Sequence, residues 1–178
     1  MKRSLLAFAP IFFLILLGGQ RLVAQTEDTA YVRMVTERAG KIVAKLGLPD
    51  SAKFYQVRTM VADQYRDLNA MSQRKDTNLA KQHSAYLAKL ATALTPQQID
   101  QVKDGMTYGV VEVTYHAYCE KYPALTDEQK AYIMKALVEA REHAMDGGSS
   151  KEKHAWFGKY KGRINNYLSA QGYDQKKD

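Results

Sequence analysis

Cysteine is almost missing from this sequence: Cys119 stands alone among 178 residues. An internal disulfide is therefore excluded, and the core must hold without covalent ties. Proline is nearly as scarce, with four in the chain, and beyond Pro10 the others, Pro49, Pro96 and Pro123, each fall where an element starts or separates from the next. Proline inside a helix removes a hydrogen bond and clashes with the preceding turn, so this placement leaves the intervening stretches free to be helical. The HExxH signature of zinc peptidases and the GxxxxGK of phosphate loops do not occur. Charge of one sign does not dominate either: 26 Lys and Arg face 19 Asp and Glu, without the dense basic stripe of a nucleic-acid binder.

What is present begins with a leader. Lys2 and Arg3 precede an apolar run from Leu5 to Leu17, then Gly18, Gly19 and a small residue, Ala24, at the expected cut. That run is shorter than the roughly 20 residues that span a bilayer, and no cysteine near the cut could carry a lipid. We therefore expect a cleaved signal peptide over residues 1–24, a helical domain over 25–173 and a frayed polar tail over 174–178. The product is expected to be exported, periplasmic or extracellular, without stable membrane anchoring. Removing Lys2, Arg3 and Arg21 leaves 23 basic residues against 19 acids, a net charge of +4. A chain of this size buries about two-thirds of its unfolded surface, enough for one core.

The periodicity is helical throughout. Tyr31, Val35, Ala39, Ile42, Val43 and Leu46 recur at three- and four-residue steps before Gly47, predicting a helix over 28–46. Asp50 and Ser51 open a second helix, ending near Met71, and after a polar loop Leu79, His83, Tyr86, Leu87 and Leu90 mark a third. Two later starts share one pattern, Leu94-Thr95-Pro96-Gln97-Gln98 and Leu125-Thr126-Asp127-Glu128-Gln129, each a capping box in which Thr and Gln satisfy two backbone donors reciprocally. Gly105 and Gly109 are expected to break the helix begun at Thr95, and Val110 to Val113 read as an extended connection into a helix over 114–121. Ser149 with Glu152 caps the last helix, on which Trp156, Phe157, Tyr160, Ile164, Tyr167 and Leu168 fall within an arc of roughly 120 degrees. Gly158 and Gly162, on another face, suggest close approach of a neighbour. The expected fold is an all-α, single-domain bundle of five to six helices.

Polar and aromatic residues are densest from Arg141 to Tyr167. The segments DGMTYGVV (Asp104 to Val111), LTDEQ from Leu125, and AMDGGSSKEKHAWFGKYKGRINNYLSAQGYD (Ala144 to Asp174) resemble the bacterial exported domain of unknown function numbered 3826. The resemblance implies a secreted protein frequently encoded beside polysaccharide-degrading enzymes. It supplies no catalytic residues to carry over.

Three functional readings follow from the residues. An amphipathic indole beside hydrogen-bond donors suits a sugar ring, so Trp156, with Glu152, His154, Lys159, Tyr160, Arg163 and Asn166, forms a candidate site for an acidic glycan. The plain alternative is that Trp156 is core and the charges are a solvated face. Second, Glu139, Glu142, His143, Asp146 and His154 could serve a hydrolase or lyase as acid and base, or hold a divalent ion through Glu139, His143 and His154, although such spacing arises by chance and no metal or cofactor is assigned. Third, the paired Leu-Thr-x-x-Gln starts are similar to those of Spy-like periplasmic chaperones, though capping explains them fully. Asp104 to Gly109 is either a packing turn or one wall of a pocket. Oligomeric state is not readable.

Overall fold

The computed structural model describes residues 18–173, with side chains from residue 29 onward. The expected leader lies mostly outside the described residues, and the expected tail over 174–178 wholly outside them. Seven α-helices follow in order: α1 (Gly18–Val43), continued by a short 3-10 turn (Ala44–Leu46), α2 (Ser51–Arg74), α3 (Leu79–Ala91), α4 (Pro96–Met106), α5 (Val110–Lys121), α6 (Asp127–Ala144) and α7 (Ser150–Ala170). No strand occurs among the described residues, and no helix there is long and apolar enough to cross a membrane. The chain divides between Met34 and Val35 into two units, the second holding everything from the last third of α1 onward.

Seven helices are found among the described residues where five to six were expected, and the region around Gly105 and Gly109 divides differently than read. Gly105 lies inside α4, where a Cβ would come within 2.8 Å of the Ile42 side chain, so glycine there lets α4 press against α1. The actual break is Tyr108-Gly109, both with positive φ. Val110 to Val113 are helical, correcting the extended reading: Val111 buries against the core, which outweighs the few tenths of a kcal/mol that β-branching costs a helix. Elsewhere the local signals act as read. Thr95 and Thr126 accept from the amides of Gln98 and Gln129, whose side chains return to the Thr backbone at 3.1 and 2.9 Å. Asp50 caps α2 by accepting from the Lys53 amide alone, and Gly47 closes the first helix at φ 61°. The second helix runs to Arg74, beyond the expected end near Met71, and stops where Lys75 turns left-handed.

α6 and α7 form a hairpin whose register is plain from its pairs: His143 stacks on Trp156, Glu139 meets Tyr160 and Tyr132 stacks on Tyr167. Each step back along α6 matches an equal step forward along α7, as antiparallel neighbours require. Phe157, Tyr160, Ile164 and Leu168 are buried in this seam with Ile133, Leu137, Ala140 and Ala144, each large apolar chain contributing about 1.5–3 kcal/mol. Trp156 and Tyr167 flank the stripe and are half-buried. Gly158 and Gly162 have open space around them, and no neighbour approaches either among the described residues.

Candidate functional site

Where α3 meets the end of α6 and the start of α7, a cleft of about 610 Å³ opens, lined by His83, Glu142, His143, Asp146, Glu152, Trp156 and Lys159 with Leu79, Ala80 and Ser84. α3 delivers His83 because that residue shares the face of Tyr86 and Leu90, three and four residues apart, which anchor the helix in the core. α6 delivers Glu142, His143 and Asp146 from its last turn and just beyond. α7 adds Trp156 and Lys159, whose ammonium lies 4.9 Å from the indole centroid, while the His143 ring stacks on the indole at 4.4 Å.

Charge in this cleft is settled largely within the protein. His83 Nδ1 lies 2.8 Å from Asp146 Oδ2, and its Nε2 lies 3.7 Å from Glu142. The other Asp146 oxygen is buried and finds no hydrogen-bond partner among the described residues. Burial raises the Asp146 carboxyl above its ordinary value, although His83 and Lys153 oppose that shift. Glu142 also accepts from Lys103 Nζ at 2.8 Å and lies 3.3 Å from Arg141. Behind it, Asp100 and Asp104, one helical turn apart on α4, each receive a 2.8 Å bond from the buried Arg141 guanidinium. Burial depresses the Arg141 pKa, but the bond and charge of Asp104 outweigh it and the net shift is upward. Glu152 is spent on the turn, accepting from the Gly148 amide at 3.0 Å.

The turn joining α6 to α7 is close-packed and not a flexible Gly-Ser link. A Cβ on Gly147 would meet Lys153, and one on Gly148 would come within 3.0 Å of Ser72. The Lys153 ammonium is buried and donates to the carbonyls of Met145 at 3.0 Å and Ala144 at 3.3 Å, the open acceptors at the end of α6. Burial lowers its pKa to about 8.

The expected glycan residues are therefore only partly brought together. Glu152, Trp156 and Lys159 line the cleft. Tyr160 does not: it is buried in the hairpin seam and donates to Glu139 at 2.6 Å. Arg163 lies over the Tyr160 ring and 3.8 Å from Glu139, outside the cleft, and Asn166 is exposed on the same helix without lining it. His154 faces elsewhere and stacks on Tyr108 at 5.8 Å. Glu139 is engaged by Tyr160 and His154 by Tyr108, and the described residues contain no group of three metal-ligating side chains. The acid and base pairing expected among Glu142, His143, Asp146 and His154 changes partner, because the imidazole held against Asp146 is His83. Helical spacing counted His83 as core; its being the titratable member of an otherwise apolar stripe was the available signal. The two Leu-Thr-x-x-Gln segments are accounted for as capping boxes.

A family model described as "Protein of unknown function (DUF3826)" matches residues 32–81 and 67–178. No curated protein matches the chain.

Proposed function

Since the chain belongs to the DUF3826 family, we propose that it is an exported accessory of polysaccharide utilisation which binds an acidic saccharide in the cleft between α3, α6 and α7. The observation that carries this reading is a half-buried indole on the wall of a largely apolar cleft that also presents His83, Glu142, Asp146 and Lys159. The three lining carboxylates already have partners, whereas Lys159 has no carboxylate partner among the described residues. With His143 on one side of the indole, a sugar ring stacks there by displacing the Lys159 tip. That exchange gives up about 0.5–1 kcal/mol of cation–π attraction and frees the ammonium for the ligand's carboxylate. Calorimetry against acidic and neutral oligosaccharides tests it: Trp156→Ala should remove the share of the binding that belongs to this cleft, and Lys159→Ala, a surface change, should remove that share's preference for acidic ligands. Absence of any saccharide binding, or binding unchanged in Trp156→Ala, would end this reading.

One geometric fact favours a second reading, a hydrolase or lyase. A His held by a carboxylate at one ring nitrogen, with a second carboxylate beside the other at 3.7 Å, is oriented as a general base is. With Nδ1–H donating to Asp146, Nε2 takes the substrate proton, and Glu142 stands on that side. On this reading His83→Ala keeps saccharide binding and loses turnover, followed as new reducing ends or the ultraviolet absorbance of unsaturated uronates. A polysaccharide panel that yields neither product would exclude it.

A further inference from the structure

A second groove, of about 500 Å³, lies between the C-terminal part of α1 with its 3-10 turn and the α4–α5 junction. Arg38, Lys41 and Lys45 recur at three- and four-residue steps and line it from one side. Lys41 and Lys45 are exposed, and neither has an ion-pair partner among the described residues. Asp104 is the acid in the lining, and its carboxylate is held by Arg141 at 2.8 Å. The groove therefore carries an unspent positive charge, in a protein that otherwise pairs its charges closely around α6.

The opposite wall is Tyr108, and its backbone is unusual. The Gly109 amide bonds the Asp104 carbonyl at 2.8 Å and the Tyr108 amide points to the Gly105 carbonyl at 3.5 Å, which makes the end of α4 a Schellman motif with Tyr108 at the left-handed position. Glycine is the usual occupant there, because a side chain crowds the following carbonyl. Tyr108 nonetheless holds φ 62° while 45 % exposed, its ring steadied by His154. Burial does not repay the strain, and strain kept at an exposed aromatic marks a candidate contact surface. Lys75 at the end of α2 also has positive φ, so the conformation alone is not the signal; the aromatic sharing a groove with Lys41, Lys45 and Arg38, whose guanidinium lies 5.5 Å from the Tyr65 ring centroid, is. Gly105 brings the two walls to this separation by admitting Ile42 against α4.

We propose that this groove is a second ligand site, holding an anionic saccharide unit with its carboxylate or sulfate among Arg38, Lys41 and Lys45 and its ring against Tyr108. It stands apart from the Trp156 cleft and does not depend on it. The chemistry is charge-assisted hydrogen bonding to the anion combined with an aromatic platform for the apolar sugar face.

Calorimetric titration of the purified protein tests it with an oligogalacturonate (carboxylate), a sulfated dextran oligosaccharide (sulfate), a neutral maltooligosaccharide and a single-stranded DNA oligonucleotide of matched charge. One of the two acidic saccharides should bind, and which one identifies the anion. The double variant Lys41→Ala/Lys45→Ala should weaken that binding about tenfold or more. Tyr108→Gly should weaken it about fivefold or more, yet melt at the same or a higher temperature because glycine carries no left-handed penalty. Trp156→Ala should leave this binding in place, which separates its fate from that of the cleft. Failure of both acidic saccharides to bind, parental affinity in either groove variant, or stronger binding of the oligonucleotide overturns the proposal.

Discussion

The cleft beside α3 and the groove beside α1 are of similar size, about 610 and 500 Å³, yet they treat charge in opposite ways. In the cleft, every carboxylate is answered from within: Asp146 by His83, Glu142 by Lys103 and Arg141, Glu152 by the turn. In the groove, lysines face solvent without acids of their own, and the nearby Asp104 is drawn away to Arg141. One guanidinium therefore serves both places, neutralising acid behind the cleft and clearing acid from the groove. The lesson is that charge left over is informative only after internal pairing has been subtracted. By residue count the two linings are equally charged, with four charged side chains each, and by unspent charge the cleft is the poorer.

Arg141→Ala breaks this comparison most severely. It releases Asp100, Asp104 and Glu142 together, and because those acids are partly exposed the loss should be about 2–3 kcal/mol rather than the larger cost of a fully buried pair. Chemical denaturation measures it, and the groove should lose affinity for anions in the same variant. Gly105→Ala attacks the groove's width instead. A methyl at 2.8 Å from Ile42 overpacks the α1–α4 contact, for about 1–3 kcal/mol of destabilisation in the same assay. The cleft side is sharpened by pH. Lys153 loses its proton at about 8 when folded and at 10.5 by its ordinary value, so its contribution is least favourable below pH 8 and improves as pH rises from about 8 towards 10.5. That gain should be about 1–2 kcal/mol after allowance for screening, and Lys153→Met should flatten it in melting curves taken across the window. Smallest is the change on the open face of α7: Gly158→Ala and Gly162→Ala should each add about 0.5–1 kcal/mol, since nothing fills the space a methyl would take.

Much of this architecture was legible because its determinants are local. The Thr-x-x-Gln starts of α4 and α6 depend on three-residue spacing and the α7 stripe on angular spacing, and both appear in the structure as read; Ser149 caps α7 through the Glu152 amide, but the Glu152 carboxylate turns to the Gly148 amide instead of closing the capping box its spacing suggests. The failures share the opposite property. Arg141 reaches acids 37 and 41 residues away, and His83 reaches Asp146 across 63, separations that no helical period encodes. Arg163 and Tyr160 were assigned to a glycan from their place on α7, but Glu139 on the neighbouring helix claims both. Val110 to Val113 misled for a related reason: β-branched text resembles a strand until a left-handed Gly109 starts a helix ahead of it and the core takes Val111.

The Lys153 ammonium, seated on the carbonyls that close α6, has a practical consequence. A Gly-Gly-Ser-Ser junction is the sort of link a protease opens first and an engineer lengthens without thought. Here, prising it apart strips a cation of its oxygen ligands inside an apolar seam, so the two helices of the hairpin are riveted where their sequence suggests a hinge. Nicking and insertion should be tolerated near Lys75 to Thr77, where the chain is largely open to water, and resisted between Gly147 and Ser149.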